Sequence, residues 1–348
     1  MRIPNKILIA CACLLSLVAC KASTPGALRK NVPVELAFVT ETSANKVAVV
    51  NLSTAKVVAT IRVPQEPTPI LQVPGTNLVM VGSYKGNKIS VINTKTLKVI
   101  RSIKVGNGPS ALVSAPSNDT VYVFNYVSGT ISAISVPTLT VTRTYQVGIH
   151  SRALAISQNG TTLYAASYGS PSGGAPFGDT LVAIDVNSGN LRPGLVVGFS
   201  PCAAVVSPNG SDLIVTLDGS QGMNGNSVAL VDLATWTVVK YLTVGNDPSG
   251  LLSSPDGSTL YVADSGMIGE NQGWISIVNM HTFRVSRPIR VGNDPWRLAL
   301  DLTSKRLYIV DADSNDLRYY DLESKKLGRP IQLFGHPHGI SIIRTVNK

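Results

Sequence analysis

Short apolar runs fill this chain, and Gly, Asn, Asp and Pro separate them. Two examples are Val228-Ala229-Leu230-Val231-Asp232 and Trp274-Ile275-Ser276-Ile277-Val278-Asn279. Runs of this length, rich in β-branched residues and bounded by turn formers, predict strands. No stretch downstream of Cys20 carries a helical period. The runs recur in a fixed order: a Pro, a short apolar strand, a Ser-Pro-Asn-Gly-type turn, a Leu-Tyr-Val strand, a Val-Ile-Asp strand, and a last strand ending in Val-Gly.

The central residue of the Leu-Tyr-Val element falls at Phe38, Val79, Tyr122, Tyr164, Ile214, Tyr261 and Tyr308, with spacings of 41, 43, 42, 50, 47 and 47. These are propeller-blade periods. The Pro after Val-Gly marks the same register at Pro67, Pro109, Pro201, Pro248, Pro295 and Pro337, with Ser151 in the remaining slot. Seven units of about 44 residues need roughly 310 residues, which leaves little for a second domain. The predicted fold is all-β, a seven-bladed β-propeller of four-stranded blades over residues 35–348. Strands a to d of each blade run from the axis outwards. The chain enters at a strand b (Leu36 to Thr40) and ends on one more strand a (Gly339 to Arg344), so the C-terminal strand closes the first blade. Closure removes the open edges of a linear stack.

The unit Ser254-Pro255-Asp256-Gly257-Ser258-Thr259-Leu260-Tyr261-Val262-Ala263-Asp264 and the turn Thr243-Val244-Gly245-Asn246-Asp247-Pro248 resemble the YVTN family of β-propeller repeats. The resemblance spans about residues 35 to 345. Blade 4 departs from it at Ser151 and blade 5 at Ile214. It implies the propeller architecture and leaves activity open, because that family is similar to surface-layer proteins, periplasmic binding proteins, lactonase-type enzymes and amine dehydrogenase subunits.

The first residues change the picture from a plain propeller to an exported one. Arg2 and Lys6 precede an apolar run from Ile7 to Ala19 that is too short for a stable bilayer span and reads as an export signal over residues 1–19. It ends Leu17-Val18-Ala19-Cys20, which resembles a bacterial lipobox, so lipidation is expected at Cys20. Acyl chains there anchor the chain to a membrane, at about 0.8 kcal/mol per buried CH₂. Lys21 after the Cys points to the outer membrane. Residues 20–34 have the composition of a tether, with Pro25, Gly26 and Pro33. Cys11 and Cys13 lie in the leader, so Cys202 is left as a single thiol in the ring and no intramolecular disulfide forms there.

The basic residues behind the formal charge of +10 are not spread evenly; many lie on or beside strand d, the outer rim, among them Lys56, Arg62, Lys98, Arg101, Lys104, Arg143, Lys240 and Arg290. Charged edges keep a ring monomeric. They also suit polyanions, with nucleic acid the less favoured of these. Blades 4, 5 and 6 carry long b-to-c insertions at 168–179, 218–226 and 265–273, which build a wall on one face. The residues beside the repeating Pro ring the channel mouth and are mostly small, as in Thr68, Ser110, Cys202 and Ser249. The exceptions, Arg152, Trp296, Arg297 and His338, with His336 and His150 nearby, form the candidate ligand site, suited to an anionic or planar ligand through hydrogen bonds and stacking.

No nucleophile elbow, zinc-protease helix, Cys-x-x-Cys or phosphate loop occurs. The string Asp311-Ala312-Asp313-Ser314-Asn315-Asp316 lacks the Gly and Glu of a calcium loop and reads as a polar turn. Catalytic residues, a resident metal and cofactors are therefore not expected. The expectation is an envelope-anchored binding or assembly module acting through its loop-rich face on a protein or anionic ligand. The alternatives are a lactonase-type hydrolase and a polyanion binder.

Overall fold

The computed structural model describes residues 34–148, 150–167, 179–218, 226–266, 272–301 and 305–345. Residues 1–33, with the leader and Cys20, and most of the three long loops (168–178, 219–225 and 267–271) lie outside the described residues. The described chain is a ring of seven antiparallel sheets with no helix. Each sheet follows the a-b-c-d order read from the repeat. In blade 6 strand a is Pro248–Ser253, strand b Thr259–Asp264 and strand c Trp274–Asn279. Strand d breaks into two short pieces in blades 6 and 7, where Pro288 and Pro330 interrupt the edge.

The apolar core divides into seven layers, one between each pair of adjacent blades. Strand side chains alternate between faces, so each blade feeds both its neighbours. Blade 1 is the test of closure, because its strands b, c and d come from the start of the described chain and its strand a from the end. Strand Pro337–Thr345 pairs with Val34–Glu41 from Val34↔Thr345 to Glu41↔Pro337. The layers on both sides of blade 1 are filled, with Val39 and Val50 against Val310 and Leu333 on one side and Phe38 and Val49 against Val81 and Ile92 on the other. Glu41 accepts a 2.6 Å hydrogen bond from the Phe334 amide and pairs with Lys46 at 3.0 Å, which fixes the C-terminal strand's entry.

The last residue of strand b is buried in every blade: Glu41, Ser83, Asn125, Ser167, Leu217, Asp264 and Asp311. In blades 1, 3, 5, 6 and 7 it lies beneath the turn that leads into strand a, which explains the Gly of that turn there; Gly148 in blade 4 meets no such neighbour. A Cβ on Gly245 would stand 2.5 Å from the Asp264 carboxyl carbon, and one on Gly292 2.4 Å from that of Asp311. Gly245→Ala is accordingly expected to destabilise the ring by about 2–3 kcal/mol, as overpacking at a buried backbone contact does. Chemical denaturation of this variant reads that loss, and an unchanged midpoint would mean that the turn moves aside at no cost.

Candidate functional site

Each strand a begins with a bulge, and this bulge builds the site. In blade 7, Pro295 pairs with Asp311 and Arg297 with Val310, so Trp296 has no partner. Ser110, Arg152, Cys202 and Ser249 sit in the same irregularity in blades 3 to 6. A bulged residue leaves the ladder and its side chain is re-aimed, here towards the axis. Small residues at this position link neighbouring blades: Ser110 donates to the Ser151 carbonyl at 2.7 Å and Ser249 to the Pro295 carbonyl at 2.9 Å. The following position is tighter still. A Cβ on Gly250 would meet the Trp296 carbonyl at 2.5 Å and one on Gly339 the Thr68 carbonyl at 2.4 Å. Arg297 occupies this position in blade 7 and instead donates to the carbonyls of Ser249 and Trp296 at 3.1 and 3.0 Å.

The four bulky exceptions therefore meet. Arg152, Trp296, Arg297 and His338 line one cavity of about 260 Å³ at the channel mouth, together with Glu66, Thr68, Tyr84 and Ser110. Arg152 and Arg297 also line the next cavity along the channel, of about 180 Å³, and so stand between the two. The Trp296 and His338 rings lie 4.7 Å apart at 36°, and the indole is held by a 2.6 Å hydrogen bond to Asp294. The Arg297 guanidinium is 6.0 Å from the indole centre. Across the mouth, Arg152 stands 5.9 Å from the Tyr126 ring, which lies 6.2 Å from that of Tyr84.

Trp296, Arg297 and His338 keep partial exposure to the cavity, while the protein around them moves their proton equilibria. Burial first, then the charges of Arg297 and Arg152, push the His338 imidazole well below its ordinary value, so it is neutral at pH 7. Its Nδ1 is buried without a hydrogen-bond partner. Burial holds the Cys202 thiol up at about 12, which makes it unreactive. Asp247 is pushed up by burial and by Asp218 beside it. At neutral pH the mouth thus presents two guanidinium groups, a neutral imidazole and a fixed indole.

Solved structures share this ring. Hydrazine synthase of Kuenenia stuttgartiensis superposes with a TM-score of 0.69 at 20% identity, covering 82% of this chain and 92% of that one. A functionally unknown protein from Desulfotomaculum acetoxidans superposes at 0.73 and 17% identity, covering 88% of this chain and 98% of that one. A candidate 6-phosphogluconolactonase from Bacteroides uniformis gives 0.70 and 16%, over 89% and 99% of the two chains. Likeness at such low identity shows the fold alone. No protein-family model matches the chain, and no curated protein matches it.

The remaining two candidates sit apart from the cavity lining. His150 places Nδ1 2.6 Å from the Tyr126 carbonyl and its ring 5.2 Å from that of Tyr126. His336 reaches Asp313 at 3.3 Å. With Asp294 these two form a trio whose ligand atoms lie within 4.8 Å of one another, the group among the described residues that can approach a cation. In the acidic string, Asp311 and Asp316 both turn to Arg318, at 3.3 and 2.9 Å. Asp247, Asp294 and His336 precede the repeating Pro in the left-handed region, at φ 53°, 58° and 52°. Asp tolerates this conformation, which fits a turn role for the repeated Asn-Asp-Pro. Glu66, Tyr84 and Tyr126 were not legible as site residues beforehand. Tyr84 and Tyr126 each follow the buried end of strand b in consecutive repeats, and an aromatic recurring in an otherwise polar loop is the signal that marks them.

Proposed function

We propose that this propeller is an exported binding module of the cell envelope, anchored through acylated Cys20, with repeats of the YVTN type. Its axial mouth binds a small organic anion that carries a flat unsaturated part. The observation behind this reading is the meeting of Arg152, Arg297, Trp296 and His338 on one cavity. Two guanidinium groups grip a carboxylate or phosphate, the indole offers a stacking face, and neutral His338 accepts or donates one hydrogen bond without adding charge. A cavity of about 260 Å³ suits a ligand of one ring rather than a polymer.

Calorimetric titration with planar carboxylates, benzoate as the reference probe, tests the reading. Arg297→Gln and Arg152→Gln are each expected to weaken binding by about 10–100-fold, the loss of a charge-assisted hydrogen bond. Lys240→Gln on the rim is expected to leave it unchanged. Equal affinity in all three variants would remove the mouth from consideration. Turnover of a lactone that disappears in His338→Ala would replace binding with hydrolysis.

A further inference from the structure

The positive charge of this protein is a sector, not a belt. Between residues 42 and 118, which form strands c and d of blade 1, all of blade 2 and strand a of blade 3, there are nine Lys and Arg and a single acid, Glu66. Lys85 is paired with Glu66, and Lys46 with Glu41. The other seven have no acid of this stretch beside them. From residue 119 onward the chain carries 17 acids and 16 Lys and Arg, so the remaining blades are close to neutral. The sector's outer edges are strands Lys56–Arg62 and Lys98–Lys104, where Lys56, Arg62, Lys98, Arg101 and Lys104 are exposed.

A second feature coincides with this charge. Both edge strands are bulged, leaving Val58 and Ile100 without ladder partners. These two aliphatic side chains project between the cations, 53% and 50% exposed, with Val57 and Val99 at 39% beside them. No aromatic residue occurs on either strand, so there is no platform for stacking bases. Protruding aliphatics set among Lys and Arg match the interface of an anionic bilayer, where the cations meet headgroups and the apolar tips enter the acyl boundary. The 33 residues that precede the described part, including Arg29, Lys30 and the apolar run Ile7 to Ala19, lead into strand b of blade 1, two strands in from its outer edge.

We propose that the ring docks side-on against an anionic bilayer through the outer edges of blades 1 and 2, with Val58 and Ile100 entering the headgroup region. The axial mouth then opens parallel to the membrane and not into it. The proposal is consistent with the acyl anchor at Cys20 and does not depend on it, because it concerns which rim faces lipid.

The test places a photo-reactive benzophenone side chain in place of Val58, Ile100 or Val239 in the full chain. Val239 fills the same bulge in blade 5 and is 57% exposed, outside the sector. The protein is reconstituted on phosphatidylethanolamine vesicles with or without phosphatidylglycerol, and lipid adducts are counted by mass spectrometry. Adducts at 58 and 100 are expected to exceed those at 239 by about tenfold or more with phosphatidylglycerol, and to fall to the level of 239 when Lys98→Glu, Arg101→Glu and Lys104→Glu are combined. The thermal unfolding of that triple variant, at exposed positions, is expected to match the parent. Equal adducts at the three positions would overturn side-on docking. So would retention on nucleic acid or heparin that the triple variant loses while no lipid adducts form. Loss of acyl mass at the N-terminus with the 58 and 100 preference intact would sink the anchor and leave the docking surface standing.

Discussion

Deleting residues 337–348 is expected to abolish the native ring, not merely to fray its end. The deleted strand is the innermost of blade 1 and pairs with Val34–Glu41 from Pro337 to Thr345, interrupted only by the bulge at His338 and Gly339. It also contributes Ile340, Ile342 and Ile343 to the layers on either side of that blade. The three aliphatics alone contribute on the order of 5 kcal/mol of burial. Their loss opens a channel-facing edge and two apolar layers at once, against a typical total stability of about 5–15 kcal/mol. Near-ultraviolet circular dichroism and urea titration of the truncated chain should show no cooperative transition. A synthetic peptide covering residues 336–345, added in trans, should restore one. A truncated chain that still unfolds cooperatively at the parent midpoint would show that the other five inter-blade layers suffice.

Asp264→Asn is expected to stabilise the protein at neutral and alkaline pH. The Asp264 carboxyl is fully buried, with Oδ1 unpartnered and Oδ2 accepting from Ser276 at 2.6 Å. Burial, the main cause, raises its pKa from 3.8 to about 7. The native state therefore keeps a proton that the unfolded chain releases above pH 4. Stability is full below that value, falls as pH rises towards 7, and stays lower above it. The cost approaches roughly 4 kcal/mol, at about 1.4 kcal/mol per pH unit. Blade 3 already has the amide in this register: Asn125 donates to Thr130 and Ser132 at 3.1 and 3.0 Å. Ser276 is placed in blade 6 as Ser132 is in blade 3, so an asparagine finds an acceptor there. Denaturation midpoints from pH 4 to 9 should fall more steeply in the parent than in the variant, which keeps the raised carboxyls of Asp247 and Asp311. Parallel curves would place the carboxyl's titration outside that window.

Much of the architecture was legible because a propeller writes its geometry locally. Each blade needs four short strands, turns that Gly, Asn and Asp permit, and a repeat length that barely changes, and all of these are periodic along the chain. The closing strand was legible for the same reason, since the repeat begins at strand b and ends at strand a. The site was legible only as exceptions to the repeat. Arg152, Trp296, Arg297 and His338 stood out because their registers are otherwise small. That His150 and His336 turn away was not visible, because their nearest partners, Tyr126 and Asp313, come from hairpins 24 and 23 residues distant.

By itself, then, the sequence determined the strand order, the blade count and the closure, which follow from local alternation and turn chemistry repeated at a near-constant period. It also held the charge asymmetry between residues 42 and 118 and the remainder. The tertiary structure alone decided what these become in space. The bulge at the start of each strand a turns one residue per blade towards the axis, and only ring closure sets His338 of the last strand against Trp296 of blade 7. The buried end of strand b lies under a turn from the preceding connection, so the meaning of Gly245 and the raised pKa of Asp264 depend on packing between segments far apart in the chain. Bulges on the outer strands likewise lift Val58 and Ile100 out among the cations. Such contacts join groups whose sequence separation carries no signal, and burial, which gives them their energies, exists only once the ring has closed.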